Sequence, residues 1–241
     1  MSVYQNLPTA TSDSSAVQNP NRAGRYLEAF TLPLGGGGLY SYANEGTLFT
    51  CCNATVGTGI AGHAAPVVAD TDTKSLLHVF NSATNTKDII PVALRLEFTA
   101  IGAGGTINYN VAYIDDGGVT ARASGGTAIT PVSAKSNANV TTGATVYFGA
   151  VVSSATTGSK VWAQQCREVI PVVTDTMTII FGASGGNFQS GLTTASTATD
   201  HLVQYAPALS IGPGGNFKFV RTRASQSGAD SYTFSFWYIE R

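Results

Sequence analysis

The sequence predicts an all-β protein: a β-sandwich, with a jelly roll as the leading arrangement, carrying an extended N-terminal arm. Three observations predict it. Apolar and polar residues alternate along much of the chain beyond residue 76, as they do in half-buried strands whose successive side chains point to opposite faces. Glycine-rich clusters separate these runs at short intervals. Charged residues are only 11% of the 241, with Thr, Ser, Ala, Asn and 27 Gly in their place. That composition suits strands and turns and denies long helices the Glu, Lys and Arg of a solvated face.

The N-terminal arm and irregular segment are assigned to residues 1–75 and the sandwich to 76–241. Residues 1–25 are polar, with Pro8, Pro20 and the run Thr9 to Ser15, and show no sustained period. An apolar patch follows, Tyr26, Leu27, Phe30, Leu32 and Leu34, then Gly35 to Gly38, then Leu39 and Tyr40. Apolar side chains on a segment too irregular for its own core need another surface. A neighbouring subunit and the chain's own body are equally open as that surface. Tyr26, Leu27, Phe30, Leu32, Leu39 and Tyr40 are therefore candidate interface residues.

In the body, Val92, Leu94, Leu96 and Phe98 share one strand face, and Arg95 and Glu97 point the other way. Ile107, Tyr109, Val111 and Tyr113 repeat the pattern, as do Val146 and Phe148, Met177, Ile179 and Phe181, and Phe217 and Phe219. Between them lie turn clusters such as Gly102-Ala103-Gly104-Gly105, Asp115-Asp116-Gly117-Gly118 and Gly212-Pro213-Gly214-Gly215. Eight to ten strands are expected, too many for one sheet to keep a face covered, so two sheets pack together. No convincing amphipathic helix is expected beyond a turn or two. The last strand places Tyr232, Phe234, Phe236 and Tyr238 on one face and Trp237 and Ile239 on the other. Large apolar groups on both faces mark a central strand or a subunit interface, which adds Trp237 and Ile239 to the interface candidates.

Charge bounds the function classes. With a formal net charge of -1, little keeps isolated copies apart, and a charge-poor surface suits a protein covered by its neighbours. Nothing is basic enough to point to nucleic acid. No run approaches the roughly 20 apolar residues of a membrane helix. Cys51, Cys52 and Cys166 form no disulfide framework, and free thiols with no secretory leader point to folding in a reducing cytoplasm. Asn53-Ala54-Thr55 and Asn139-Val140-Thr141 match the glycosylation sequon by chance on that view.

Candidate chemistry is thin. Gly57-Thr58-Gly59-Ile60-Ala61-Gly62 matches the dinucleotide fingerprint in form, yet Pro66 would interrupt the helix that must follow and no βαβ unit surrounds it. His63, His78 and His201 stand at no local metal spacing. Asp70, Asp72, Asp115 and Asp116 carry oxygen ligands but lack the calcium-loop pattern, and Asp115-Asp116-Gly117-Gly118 reads as a tight connection. Asp200-His201 has no Gly-x-Ser-x-Gly partner, and no carboxylate pair stands out among 14 acidic residues. Cys51-Cys52 has no nearby cation to activate it. Phe217, Phe219, Arg221 and Arg223 share one parity, which could bind single strands, but the ordinary reading is a strand passing from core to rim. No catalytic residue, cofactor or metal is expected.

Residues 75–241 resemble small virion structural proteins of bacteriophages. The resemblance is carried by Ser75-Leu76-Leu77-His78-Val79-Phe80-Asn81, Ile90-Pro91-Val92-Ala93-Leu94-Arg95-Leu96, Ile211-Gly212-Pro213-Gly214-Gly215, Ala224-Ser225-Gln226-Ser227 and the closing Ser231 to Arg241. It is a likeness of texture, without a diagnostic motif. It implies a non-enzymatic decoration or cement protein of a phage capsid, acting as a homo-oligomer, typically a trimer, against other capsid proteins. The virion is then its location, after synthesis in the host cytoplasm. The rival expectations are a major jelly-roll capsid subunit, a tail or spike component, or a carbohydrate-binding sandwich using Trp162 or Trp237.

Overall fold

The computed structural model describes residues 37–64, 73–105, 107–115, 122–136, 140–153, 159–182 and 201–241. The chain divides into two compact units, Met1–Tyr42 and Ala43–Arg241. Of the arm, Tyr26, Leu27, Phe30 and Leu32 lie outside the described residues. Gly37–Glu45 forms a nine-residue helix, α1, which carries the interface candidates Leu39 and Tyr40.

The described residues hold 13 strands in two sheets, with no helical layer between them. They are β1 (Leu48–Cys52), β2 (Ile60–Ala61), β3 (Lys74–Asn81), β4 (Ile89–Ala100), β5 (Ile107–Asp115), β6 (Arg122–Ile129) and β7 (Val132–Ser133). Next come β8 (Ala144–Ser153), β9 (Ser159–Val169), β10 (Thr176–Phe181), β11 (His201–Ala206), β12 (Asn216–Arg223) and β13 (Ser231–Glu240). The first sheet runs β11-β10-β4-β13-β1-β7, with β2 pairing the start of β13. The second runs β6-β8-β3-β12-β5-β9. An all-β, two-sheet architecture is thus present. It has more strands than expected, and two of the extra ones, β1 and β2, fall in the segment read as irregular.

The pairing has an order. Setting aside β2, β6, β7, β8 and β11, eight strands remain, and they pair first with last: β1 with β13, β3 with β12, β4 with β10 and β5 with β9. All four pairings are antiparallel. The pairings of β13 with β4 and of β12 with β5 then join these ribbons within each sheet. Among the described residues the one parallel pairing is that of β11 with β10, at the edge of the first sheet.

Burial follows the alternation. In β4, Leu94, Leu96 and Phe98 are buried and Arg95 is exposed. In β13, Tyr232, Phe234, Phe236 and Tyr238 all face the core, where Phe234 stacks on Phe148 of the opposite sheet at 3.9 Å between ring centroids. Such stacked aromatics add to the free energy of apolar burial. Position in the sheet explains the mixed faces of β13, which lies between β1 and β4 as a central strand. Strand β12 departs from expectation: it is buried along its whole length rather than emerging at a rim. Lys218 is covered on one face beside His78, its partner in β3, while Arg221 and Arg223 are enclosed on the other.

Candidate functional site

Four connections cross between the two sheets at one end of the sandwich: β1 to β3, β4 to β5, β9 to β10 and β12 to β13. Backbone hydrogen bonds tie them together. Gly62 N donates to Asp230 O at 2.8 Å, Ser227 N to Ala103 O at 2.8 Å, and Gly105 N to Ala224 O at 2.7 Å. Gln226 Nε2 reaches His63 O at 3.1 Å. The β9–β10 connection is pinned to the end of β4, with Thr174 N donating to Phe98 O at 2.8 Å and Phe98 N to Asp175 O at 3.0 Å.

Beneath this end lies a buried ionic clamp. Arg223 Nη1 meets Asp230 Oδ1 at 2.6 Å, with both side chains only 2% exposed. Nη1 also donates to Gly102 O at 2.9 Å, Nε donates to Gly105 O at 2.7 Å and Nη2 to Gly104 O at 3.1 Å. Asp230 Oδ1 also accepts from Gly102 N at 2.8 Å, and Oδ2 accepts from the Tyr232 hydroxyl at 3.3 Å. A charge taken out of water must be paired and hydrogen-bonded on every side, and here one loop supplies the acceptors. The glycine cluster that reads as a turn is therefore a carbonyl cradle. Its closeness to Arg223 has no signature in the sequence, because the two segments are far apart in the chain. Arg221, next on the same face, lies over the rings of Phe98 at 4.8 Å and Tyr232 at 5.4 Å. Burial pushes the Tyr232 hydroxyl up to about 12. Arg221 and Arg223 thus serve the interior and leave no surface basic stripe with Phe217 and Phe219.

The outer side of the same end shows apolar side chains. Val56 is 98% exposed, Ile170 64%, Val172 46% and Val173 45%. The β9–β10 tip is held open by its own turn. Val172 N donates to Asp175 Oδ2 at 2.8 Å and Asp175 N to Val172 O at 3.1 Å. Thr174 sits at φ 78, a left-handed backbone rarely adopted by a β-branched residue. In these four connections the ionisable groups among the described residues are His63, Asp175 and Asp230. Both aspartates are buried. His63 is half-buried with Nε2 3.0 Å from Val151 O and 3.2 Å from Ser75 O. Burial holds its pKa below the ordinary 6.5 despite those carbonyls. Sequence reasoning missed this surface. The signal was Pro171, which stops a ladder and leaves Ile170, Val172 and Val173 with no strand to bury them.

The predicted sites fall elsewhere. Tyr40 is 74% exposed on α1 and Leu39 is half-buried. Trp237 is half-buried, and Ile239 is already covered within the chain at 8%. The glycines of Gly57-Thr58-Gly59-Ile60-Ala61-Gly62 have backbone roles: Gly57 takes φ 73, and a Cβ on Gly59 would strike the Thr99 side chain. The motif itself contains strand β2, Ile60–Ala61, where the dinucleotide fingerprint needs a turn leading into a helix. Asp70, Asp72, Asp116 and Asp200 lie outside the described residues. Among the described residues no three His, Cys, Asp or Glu side chains gather as a metal site. Cys51 is buried, and burial, with Cys52 beside it, pushes its thiol up to about 12, far from a reactive thiolate. Among the described residues no helix is long and apolar enough to cross a membrane. No protein-family model, curated protein or solved structure matches this chain.

Proposed function

We propose that this chain is a structural protein of a virus particle, one that decorates or cements a phage capsid through contacts between subunits, with a jelly roll as its body. The nested strand pairing carries the reading. A jelly roll is a long antiparallel ribbon, first strand beside last, wrapped so that its successive pairs alternate between two sheets. Here β1·β13 and β4·β10 fall in one sheet, β3·β12 and β5·β9 in the other. Strands β6 to β8 and β11 are then additions that widen the sheets at their edges.

Viral shells and lectins share this fold, and two observations favour the shell. A charge content of 11% suits a surface covered by neighbours. The tryptophans that a sugar platform would present are half-buried, and Trp162 stacks inward on Phe181 at 6.1 Å. The partners on this reading are further copies of the chain, as a trimer, and other capsid proteins.

The test is the solution mass of the full chain by light scattering, followed by sedimentation with phage particles purified from the culture that produces it. A homo-oligomer that travels with particles in fixed stoichiometry is the expected result. A monomer that stays in the supernatant overturns the reading.

A further inference from the structure

We infer that Glu240, at the far end of β13 from the Arg223–Asp230 clamp, anchors a site for a hard cation of the calcium class. This goes beyond the reading of the chain as a structural protein and does not rest on it. Glu240 is 4% exposed, so it is buried as Asp230 is. Asp230 has a guanidinium against it and a donor on each carboxylate oxygen. Glu240 lacks both. Its two hydrogen bonds, from Asn85 Nδ2 and Gly143 N, both at 2.9 Å, go to Oε1. Oε2 is shut from solvent and has no hydrogen-bond partner among the described residues. Among the same residues no Lys, Arg or His pairs with the carboxylate. A carboxylate taken out of water needs positive charge beside it, and this one has an oxygen free to receive it.

The class of cation follows from the neighbouring atoms, which are oxygens. Tyr238, two residues earlier on β13, shares the face of Glu240, and its hydroxyl lies 2.9 Å from Thr142 Oγ1. Thr142 precedes Gly143, one of the donors to Oε1. Asn85 Nδ2, the other donor, also bonds Asn81 Oδ1 at 2.7 Å. Asn81 is in turn fixed by its Nδ2 on Lys87 O at 2.9 Å and Ile211 O at 2.8 Å. A Cβ on Gly143 would strike Asn85, so glycine lets the segment before β8 close on the β3–β4 connection. One carboxylate among hydroxyl and amide oxygens suits calcium, with water completing its shell, and does not suit the metals that prefer nitrogen and sulfur. A single carboxylate sets a weak affinity, on the order of 10⁻⁴–10⁻³ M. The oxygens come from separate parts of the chain, so no spacing in the sequence announces them.

The experiment takes the full chain, treated with a chelator and dialysed, and follows thermal unfolding by circular dichroism over a calcium chloride series. Choline chloride at equal ionic strength is the control. Calcium is expected to raise the unfolding midpoint saturably, by about 3–6 °C at about ten times the dissociation constant. Terbium, standing in for calcium, is expected to luminesce on excitation of tyrosine, because Tyr238 lies beside the carboxylate, and calcium should quench that signal by competition. Glu240→Gln keeps the acceptor at Oε1 and puts an amide nitrogen in place of Oε2. It is expected to unfold cooperatively with neither response. If that variant fails to fold, Asn85→Asp is read instead. A second carboxylate there is expected to lower the calcium concentration at half the rise at least about tenfold. A midpoint that moves equally in calcium and choline chloride reflects screening alone and overturns the inference. So does a full calcium response in Glu240→Gln or an unchanged half-rise in Asn85→Asp, since the ion then binds elsewhere.

Discussion

Arg223 makes four polar contacts, and removing its side chain breaks all of them at once. Arg223→Met leaves Asp230 buried without its cation and three glycine carbonyls without their donor. The expected cost is about 3–5 kcal/mol, read from urea unfolding. A loss below about 1 kcal/mol would show that water relaxes into the cradle at little cost. His63 gives a pH signature. Burial depresses its folded pKa, so its contribution to stability is fully present above the ordinary 6.5 and is lost as pH falls through the folded value. The drop in unfolding midpoint from pH 7.5 to 5 is expected to be smaller in His63→Gln than in the unsubstituted chain. Equal drops would place the acid sensitivity elsewhere. Neither role was legible in the sequence. Arg223 read as a rim residue because strand parity gives the face of a side chain, and only tertiary packing gives its depth.

Strands were legible where one face is apolar and the other polar. Strands β4, β10 and β13 show this alternation plainly, and their register keeps it across the first sheet, with Leu96 opposite both Met177 and Phe234. Strand β6 shows no such alternation because Gly125 and Gly126 sit inside it, both at φ 68, where the ladder to β8 shifts register. Strand β1 is five residues long, too short to show a period, and β11 buries Gln204 and exposes Tyr205, so its side chains do not mark its inner face. The apolar strands are joined across the sandwich by aromatic contacts, of which Phe148 on Phe234 is the closest at 3.9 Å. Phe234→Ala is expected to cost about 3–5 kcal/mol, measured as a lower midpoint with an unchanged denaturant slope. A changed slope would mean that the two sheets no longer unfold together.

On the scale of the whole molecule, the unit Ala43–Arg241 is expected to fold without Met1–Tyr42. A chain deleted of Met1–Tyr42 should give a single cooperative unfolding transition and, on the capsid role proposed above, no longer sediment with capsid particles. Undiminished binding would remove the arm from the proposed mode of attachment. Fold class was legible in the sequence because composition and alternation are local properties. The strand order was not, since pairing first with last depends on contacts between opposite parts of the chain. That order has a consequence during synthesis. Leu48 pairs with Ile239, so β1 leaves the ribosome long before its neighbour exists. The first sheet stays open until β13 arrives to fill the gap between β1 and β4. Non-local closure of this kind is slow. A growing chain therefore has to wait unzipped, and premature encounters between unfinished copies are the hazard that its maker must manage.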